Sequence, residues 1–150
     1  MPAVKLPKLH VHNHQQRHKL DLRWLKKVAK AALPGCLSAA KSPDAPLHQL
    51  EEIEISLISD DEIARVHGEF LEDPTPTDVI TFHHGEILIS VDTAERQGLE
   101  NGQSLADETA LYIIHGLMHL GGWDDHEPEE AAEMARVQEE IWKQALVKAA

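Results

Sequence analysis

Two histidines four residues apart are the part of this sequence best suited to hold a metal ion. His115 and His119 lie in HGLMHLGGWDDH, residues 115–126, which also contains two aspartates and a third histidine. On a helix, residues at i and i+4 project from one face a turn apart, so both imidazoles can reach one ion. The pair Gly121-Gly122 lets the chain turn sharply and bring later residues back toward it. The sequence therefore predicts a metal site, with two hydrogen-bonded structural histidines as the alternative.

The residue after the first histidine argues against a zinc protease. In the H-E-x-x-H motif the glutamate is the general base that activates the zinc-bound water. This chain has Gly116 at that position, so a peptidase would need its base from another segment. A metallohydrolase that acts on another substrate is an alternative that the missing glutamate also weakens.

The same stretch resembles the signature of the YbeY family, His-Gly-x-x-His-Leu-x-Gly-x-Asp-His. Other features agree in the same order: PTDVITF (76–82) resembles Pro-Thr-Asp-Val-Leu-Ser-Phe, GEILIS (85–90) resembles a Gly-Asp/Glu-Ile strand, and Met134 resembles the methionine of the last helix. The resemblance implies a cytoplasmic α/β metalloprotein that is a single-strand-specific, zinc-dependent endoribonuclease with one Zn²⁺. It also implies a role in rRNA maturation at the 3′ end of small-subunit rRNA, in ribosome quality control, and the small ribosomal subunit as a partner.

The third metal ligand is where this sequence departs from the family, which has a histidine ten residues after the first. Here that position is Asp125, and His126 follows it. Met134 keeps the family's spacing from His115, so a substitution explains the difference better than an inserted residue. Two histidines and one carboxylate form a known catalytic zinc set. Asp125 is therefore the predicted third ligand and His126 its rival, while Asp124 is expected to support the ligands or cap a turn.

A second departure precedes the PTD motif. The family usually has Tyr-Arg there, and that arginine is thought to matter in catalysis. This chain has Phe70-Leu71 at the matching place. A charge that stabilises phosphate must then come from elsewhere, such as the basic helix described below.

Polar residues around the third predicted strand are candidates for the reaction itself. Asp78 and Thr77 are expected to position substrate or stabilise the site, with simple turn chemistry as the alternative. The pair His83-His84 could exchange protons there, whereas exposed turn residues are the other interpretation. The catalytic set predicted for this chain is His115, His119 and Asp78.

The charge of the chain is unevenly distributed. The net charge is −12, but residues 1–41 hold nine of the 14 Lys and Arg and a single acidic residue, Asp21. This segment carries +8 and leaves −20 for the rest. Four cations recur at i, i+3, i+4 and i+7 on one helix face: Arg23, Lys26, Lys27 and Lys30. This face is predicted to bind RNA, and the alternative is an ordinary solvated helix face.

Hydrophobic periodicity predicts an α/β (α+β-type) fold over residues 1–150 as a single domain. A small four-stranded mixed sheet packs with four to five helices in the order β-α-β-α-β-β-α-α, and the metal site lies at the end of the His115–His119 helix. The predicted strands are 9–15, 52–59, 78–82 and 85–90. The predicted helices are 20–35, 61–71, one from Val91 that breaks near Gly98–Gly102, 104–120 and 126–150.

Several boundaries rest on particular residues. Pro34-Gly35 is expected to stop the first long helix, with a loop over 36–49. Ser59 and Ser104 are predicted helix caps. The helix after Ser59 is predicted to bury Ile63, Val66 and Phe70, and residues 72–77 are predicted to form a proline-stiffened turn.

Three histidines alternate along the first strand, at His10, His12 and His14. They could bind a metal, but an exposed strand face is preferred because no Cys or carboxylate joins them locally. The lone Cys36 is interpreted as a small buried residue rather than a nucleophile. The sequence has no apolar run long enough to span a membrane and no visible secretory signal, which predicts a cytoplasmic protein that does not associate with a membrane.

One alternative function belongs to a different class. A ribosome- or RNA-binding assembly factor would use the metal structurally and have little catalysis. Structural zinc usually has four protein ligands, and Asp125 together with His126 would complete such a set with the two helical histidines. Adjacent residues rarely both reach one ion, so endoribonuclease activity is the preferred hypothesis.

Overall fold

The computed structural model describes residues 6–71 and 77–150, with the side chain of Leu71 left out. Four strands and six helices lie in this part of the chain, and the predicted turn over 72–77 falls almost wholly outside it. The elements are β1 (Lys8–Asn13), α1 (Leu22–Ala39), α2 (Pro46–Gln49), β2 (Glu52–Ile58), α3 (Asp60–Leu71), β3 (Val79–Phe82), β4 (Glu86–Ser90), α4 (Val91–Asn101), α5 (Leu105–Leu120) and α6 (Pro128–Ala149). The predicted order is confirmed as far as β4, with the short α2 added; three helices follow β4, whereas the predicted order has two.

One mixed sheet forms the centre of the fold, with strand order β1-β2-β4-β3. β1, β2 and β4 run parallel, and β3 is antiparallel to β4. Strict alternation in β2 places Ile53, Ile55 and Leu57 on one face, where all three are fully buried. That face packs under α1 and α5, because side chains of a strand alternate between the two faces of its sheet. The predicted four-stranded α/β architecture is confirmed.

The opposite face of the sheet is covered only in part. α3 packs Ile63 and Val66 onto Ile58, Ile80 and Leu88 in a second, smaller apolar cluster. The predicted burial of Phe70 is wrong: this side chain is 65% exposed, and its ring meets Phe82 edge-on with 5.8 Å between centroids. Phe70 lies in the last turn of α3, beyond the residues that face this cluster. Nearer to β1 on this face, His12 and Glu52 are exposed.

The first long helix does not stop at Pro34. α1 continues to Ala39, so the predicted loop over 36–49 is wrong for its first four residues, and it is also interrupted by α2. An internal proline costs a helix about 3 kcal/mol, but Cys36 and Leu37 in the following turn are buried in the core. Gly35 also permits close contact with α6, since a Cβ there would lie 3.3 Å from Ile141. Packing therefore outweighs the local signal. Burial raises the pKa of the Cys36 thiol to about 12, which agrees with its interpretation as a buried apolar residue.

α5 is the helix on which the remaining elements are assembled. It contacts β3, β4, α1, α4 and α6, and its N-terminus is capped as predicted, because Ser104 Oγ accepts from the Asp107 amide at 3.0 Å. Gly116 lets α5 lie directly on β4: a Cβ at this position would stand 2.7 Å from Ile87 Cγ2. A glutamate at position 116, as in zinc proteases, would therefore point into the sheet.

Across the described residues, no helix has both the length and the apolar character needed to cross a membrane.

Candidate metal centre

The last turns of α5 bring His115 and His119 together. Their Nε2 atoms are 3.0 Å apart, and the two rings stand nearly perpendicular at 88° with 4.5 Å between centroids. Both side chains are about one quarter exposed, so the pair faces an accessible surface from a supported position. The i, i+4 spacing thus produces the shared direction expected from the sequence.

Hydrogen bonds on the far side of each ring fix which nitrogen faces the shared point. His119 Nδ1–H donates to the backbone carbonyl of Trp123 at 2.9 Å, and His115 Nδ1–H donates to Gln138 Oε1 at 2.7 Å. A neutral imidazole protonated at Nδ1 carries its lone pair on Nε2. Two such lone pairs 3.0 Å apart repel each other, and a cation between them would turn that repulsion into attraction. The donor set therefore fits a metal ion.

Asp125 is the third member of this group. Its Oδ2 lies 3.7 Å from His115 Nε2 and 3.8 Å from His119 Nε2. Metal–ligand bonds of about 2.1 Å in tetrahedral geometry would separate neighbouring ligand atoms by about 3.4 Å. The three ligand atoms all lie within 4.8 Å of one another, close to what one ion requires.

His126 lies elsewhere. Its side chain is 86% exposed, and its Nε2 is 3.5 Å from Asp124 Oδ1 rather than beside the helical histidines. Asp124 also accepts from the backbone amide of His126 at 3.0 Å, which is the turn-capping role considered for it. The structure brings His115, His119 and Asp125 together, and it turns the rival ligand toward its neighbouring aspartate.

The loop that delivers Asp125 is held by the end of α1. Gly122 has φ +93°, the left-handed conformation that suits glycine. Trp123 Nε1–H then donates to the carbonyl of Ala39 at 2.9 Å, and the Lys41 amide donates to Gly121 O at 2.8 Å. The Lys41 ammonium also stands over the indole ring, 4.5 Å from its centroid. The extension of α1 past Pro34 thus supports the carbonyl that orients His119.

Sequence reasoning missed two residues of this arrangement, Trp123 and Gln138. Trp123 acts through its backbone carbonyl, for which a side-chain pattern carries no signal. Gln138 follows the family-like Met134 by one helical turn, so the i, i+4 rule on α6 could have indicated that it faces the same site.

Burial favours the neutral form that a metal ligand needs. The pKa of His119 lies below its ordinary value, first because burial disfavours the charged imidazolium and second because of the charge of His115. Histidine binds metals only when deprotonated. Less proton competition is therefore expected at this ring than at an exposed histidine.

A cleft of about 520 Å³ opens in front of the centre. β3 and its flanks form one wall, with Thr77 and His83, and the loop from Gly122 to His126 forms the other. Among the described residues that line it there are histidines, including His67, but no Lys or Arg. The two turn histidines diverge, since His84 stacks on Phe82 at 5.5 Å and lines a separate groove.

The contacts described for Asp78 do not include the metal-ligand group. Its Oδ1 accepts from the Val79 amide at 2.8 Å and lies 3.4 Å from Thr77 Oγ1. Its charge acts on Glu108, whose pKa is raised mainly by burial and further by Asp78. Glu108 precedes His115 by about two turns of α5. The described contacts of Asp78 are thus local or lie toward the start of that helix, and its catalytic role stays a prediction.

The predicted basic stripe lies on the β1 side of the molecule. Arg23, Lys27 and Lys30 are exposed and Lys26 is half-buried. Lys26 and Lys30 line a shallow groove together with β1 residues. The cleft lies at β3, the other edge of the sheet, and three strand spacings separate these edges by about 14 Å. The stripe and the cleft are therefore separate surfaces.

The chain is similar to known proteins over most of its length. The endoribonuclease YbeY family model matches residues 10–146. The endoribonuclease YbeY of Geobacter metallireducens is 32% identical over 144 residues, which cover 87% of this chain and 89% of that protein. That of Thermobifida fusca is 31% identical over 120 residues, covering 67% and 77%.

A solution structure from Thermotoga maritima superposes with a TM-score of 0.60 over 91% of this chain and 88% of that one. At 23% identity it shares the fold. The family model and the two relatives extend over most of the chain. The chain therefore belongs to the endoribonuclease YbeY family.

Proposed function

We propose that this protein is a metal-dependent endoribonuclease that cleaves single-stranded RNA. The observation that carries the proposal is the convergence of His115, His119 and Asp125 beside an open cleft, in a chain of the YbeY family. Both imidazoles direct Nε2 to one point because their Nδ1 atoms are engaged elsewhere. One Zn²⁺ is the proposed ion, since two histidines and a carboxylate are a known catalytic set for it.

Within this centre His115, His119 and Asp125 would hold the ion, which when bound supplies a Lewis acid for the phosphodiester. Hydrogen bonds to Gln138 and to the Trp123 carbonyl fix the orientation of the two imidazole rings, so the metal-binding geometry exists before RNA binds. Proton transfer falls to an imidazole of the cleft, with His83 on the β3 wall as a candidate. The nucleophile is either water or the neighbouring 2′-hydroxyl of the RNA.

Three protein ligands leave a coordination position for reaction. Structural zinc sites usually have four protein ligands, and the exposure of His126 and its contact with Asp124 favour a three-ligand site. This argues for catalysis over the alternative of an assembly factor with a structural metal. The proposed substrate is rRNA, including the 3′ end of small-subunit rRNA, in the cytoplasm and in association with the small ribosomal subunit.

Metal content and RNA cleavage, measured on the same samples, test the enzyme hypothesis. We expect wild type to bind Zn²⁺ and cleave single-stranded RNA, and His115→Ala and Asp125→Ala to lose both. His126→Ala should keep the metal. A wild-type protein that holds stoichiometric Zn²⁺ and cleaves no faster than its chelated form would contradict the proposal, and metal loss only in His126→Ala would reverse the third-ligand assignment.

The basic stripe is proposed as a contact for RNA outside the cleft. Lys26→Glu with Lys30→Glu should weaken RNA or ribosome binding and reduce its dependence on salt, because each phosphate contact releases counterions. Binding is measured between low and physiological salt, with Lys143→Glu and Lys148→Glu on α6 together as the exposed control of equal charge change. Equal binding and an equal salt slope in both variants would identify the stripe as a solvated face.

A further inference from the structure

A second group of imidazoles and carboxylates lies on the open face of the sheet, where β1 pairs with β2. The parallel register sets His10 beside Glu54, and His12 two residues further along the same face of β1. His10 Nε2 lies 3.3 Å from Glu52 Oε1, and His12 Nε2 lies 2.5 Å from Glu54 Oε2. Two histidines thus face two glutamates across a strand pair.

Strand pairing supplies what the sequence of β1 lacks. No carboxylate is near these histidines along the chain, but strand pairing places Glu54 opposite His10. Each histidine contacts the glutamate 42 residues further along the chain, which lies diagonally across the strand pair. One ligand atom each of His10, Glu52 and Glu54 lies within 4.8 Å of the other two. His12 is outside that group of three, but its Nε2 contacts the Glu54 carboxylate, and its ring stacks on that of His10 with 6.4 Å between centroids.

The side chains are accessible enough to rearrange around an ion. The exposed fractions are 36% for His10, 47% for His12, 60% for Glu52 and 45% for Glu54. Small rotamer adjustments at the surface can therefore bring the donors to bonding distance. The imidazole nitrogens and carboxylate oxygens already lie next to one another, and metal binding would replace these hydrogen bonds by bonds from each atom to the ion.

We propose that His10, His12, Glu52 and Glu54 form a second site for a divalent transition-metal ion. Imidazole with carboxylate suits Zn²⁺ and its neighbours in the first transition row, whereas Mg²⁺ and Ca²⁺ prefer oxygen ligands throughout. The ion bridges the edge strand β1 to β2. It stabilises the folded chain, since binding to the native state alone shifts the unfolding equilibrium.

The third histidine of the strand lies outside this group and provides a matched control. His14 stacks on His12 at 5.9 Å, and its charge acts on Glu62 of α3. His14→Ala changes the same residue type on the same face without removing a donor. The site is also independent of the centre on α5, so its presence does not depend on the proposed nuclease activity.

The test is Zn²⁺ titration of chelator-treated, tag-free protein by calorimetry. In a His115→Ala/His119→Ala background we expect one saturable Zn²⁺ per chain. Adding His10→Ala with Glu54→Gln should weaken that binding at least tenfold, while adding His14→Ala leaves it intact. Zn²⁺ should also raise the melting temperature of the background variant, and Mg²⁺ at the same concentration should not.

Circular dichroism in chelator checks that each variant folds. If the α5 background does not fold, the stoichiometry of otherwise wild-type protein gives the same answer, with two Zn²⁺ per chain falling to one on His10→Ala with Glu54→Gln. Glu52→Gln, which preserves side-chain shape, serves if the strand variant is unstable. Unchanged affinity and stoichiometry after removal of these donors, or equal binding of Mg²⁺, would overturn the site.

Discussion

Two groups of histidines and carboxylates lie at opposite edges of this fold, and they differ in how they are held. On α5, His115 and His119 are about one quarter exposed, and each has its second ring nitrogen engaged by a fixed oxygen. On β1, His10 and His12 are more exposed, and their described hydrogen bonds run through Nε2 alone. Similar ligand types thus form one preorganised centre and one adaptable cluster.

This difference in support has a chemical consequence. When the ring nitrogen that does not bind the metal donates a hydrogen bond, the tautomer and orientation of a ligating histidine are fixed and its metal affinity is raised. A ring free on that side loses more rotamer freedom when it binds. The α5 centre is therefore suited to catalysis beside its cleft, whereas the β1–β2 cluster is suited to stabilising an edge strand.

The largest expected effect separates the two groups by function. His119→Ala should reduce RNA cleavage by more than about a hundredfold, because it removes a metal ligand and not only its support. His10→Ala should leave the cleavage rate at the wild-type value. Rates are measured on single-stranded RNA at saturating Zn²⁺. Equal losses in the two variants would break the distinction between a catalytic and a structural cluster.

A second variant removes the support and keeps the ligands. Gln138→Ala should weaken Zn²⁺ binding at the α5 centre about 10- to 100-fold, since it frees the Nδ1 side of His115. Gln144→Ala, an exposed change on the same helix, is the control. Competition with a chromophoric chelator measures the affinity. An unchanged affinity would mean that preorganisation does not distinguish the two groups.

A third change tests the close contact between α5 and β4 on which the α5 centre rests. Gly116→Ala should destabilise the protein by about 1–3 kcal/mol, because the added methyl group meets Ile87 at 2.7 Å. Chemical denaturation in chelator measures the free energy of unfolding. Ile87→Ala makes room for the new methyl group, so the double variant should lose less than the two single changes combined. Strict additivity would show that this contact does not limit the approach of α5 to β4.

The smallest expected effect concerns pH. Because the pKa of His119 is lowered in the folded chain, the unfolded chain binds its proton first as the pH falls below the ordinary value of 6.5. Stability of the metal-free protein should therefore decrease as the pH falls from 6.5 toward the lower folded pKa. His119→Asn should reduce that pH dependence in urea unfolding at pH 7.5 and 5.5. An equal slope in both proteins would assign the pH dependence to other groups.

Local signals predicted much of the fold. The alternation of apolar residues in β2 and the cap at Ser104 depend on residues close in sequence, and both appear as expected. The prediction that the first long helix ends at Pro34 is wrong because the cost of a proline inside a helix is smaller than the packing energy gained by the next turn of α1. The predicted burial of Phe70 is wrong because helical periodicity indicates which face of the helix a residue occupies and does not indicate how far the neighbouring sheet extends.

The sequence by itself determined the pairing of His115 with His119, because the geometry of an α-helix sets their relation at four residues apart. It also carried the family motif that made Asp125 a candidate ligand. Only the tertiary structure decided which atoms support those rings, since the Trp123 carbonyl depends on the end of α1 and Gln138 on the docking of α6. It likewise decided which glutamates His10 and His12 face, because strand register joins residues 42 positions apart that no local pattern relates.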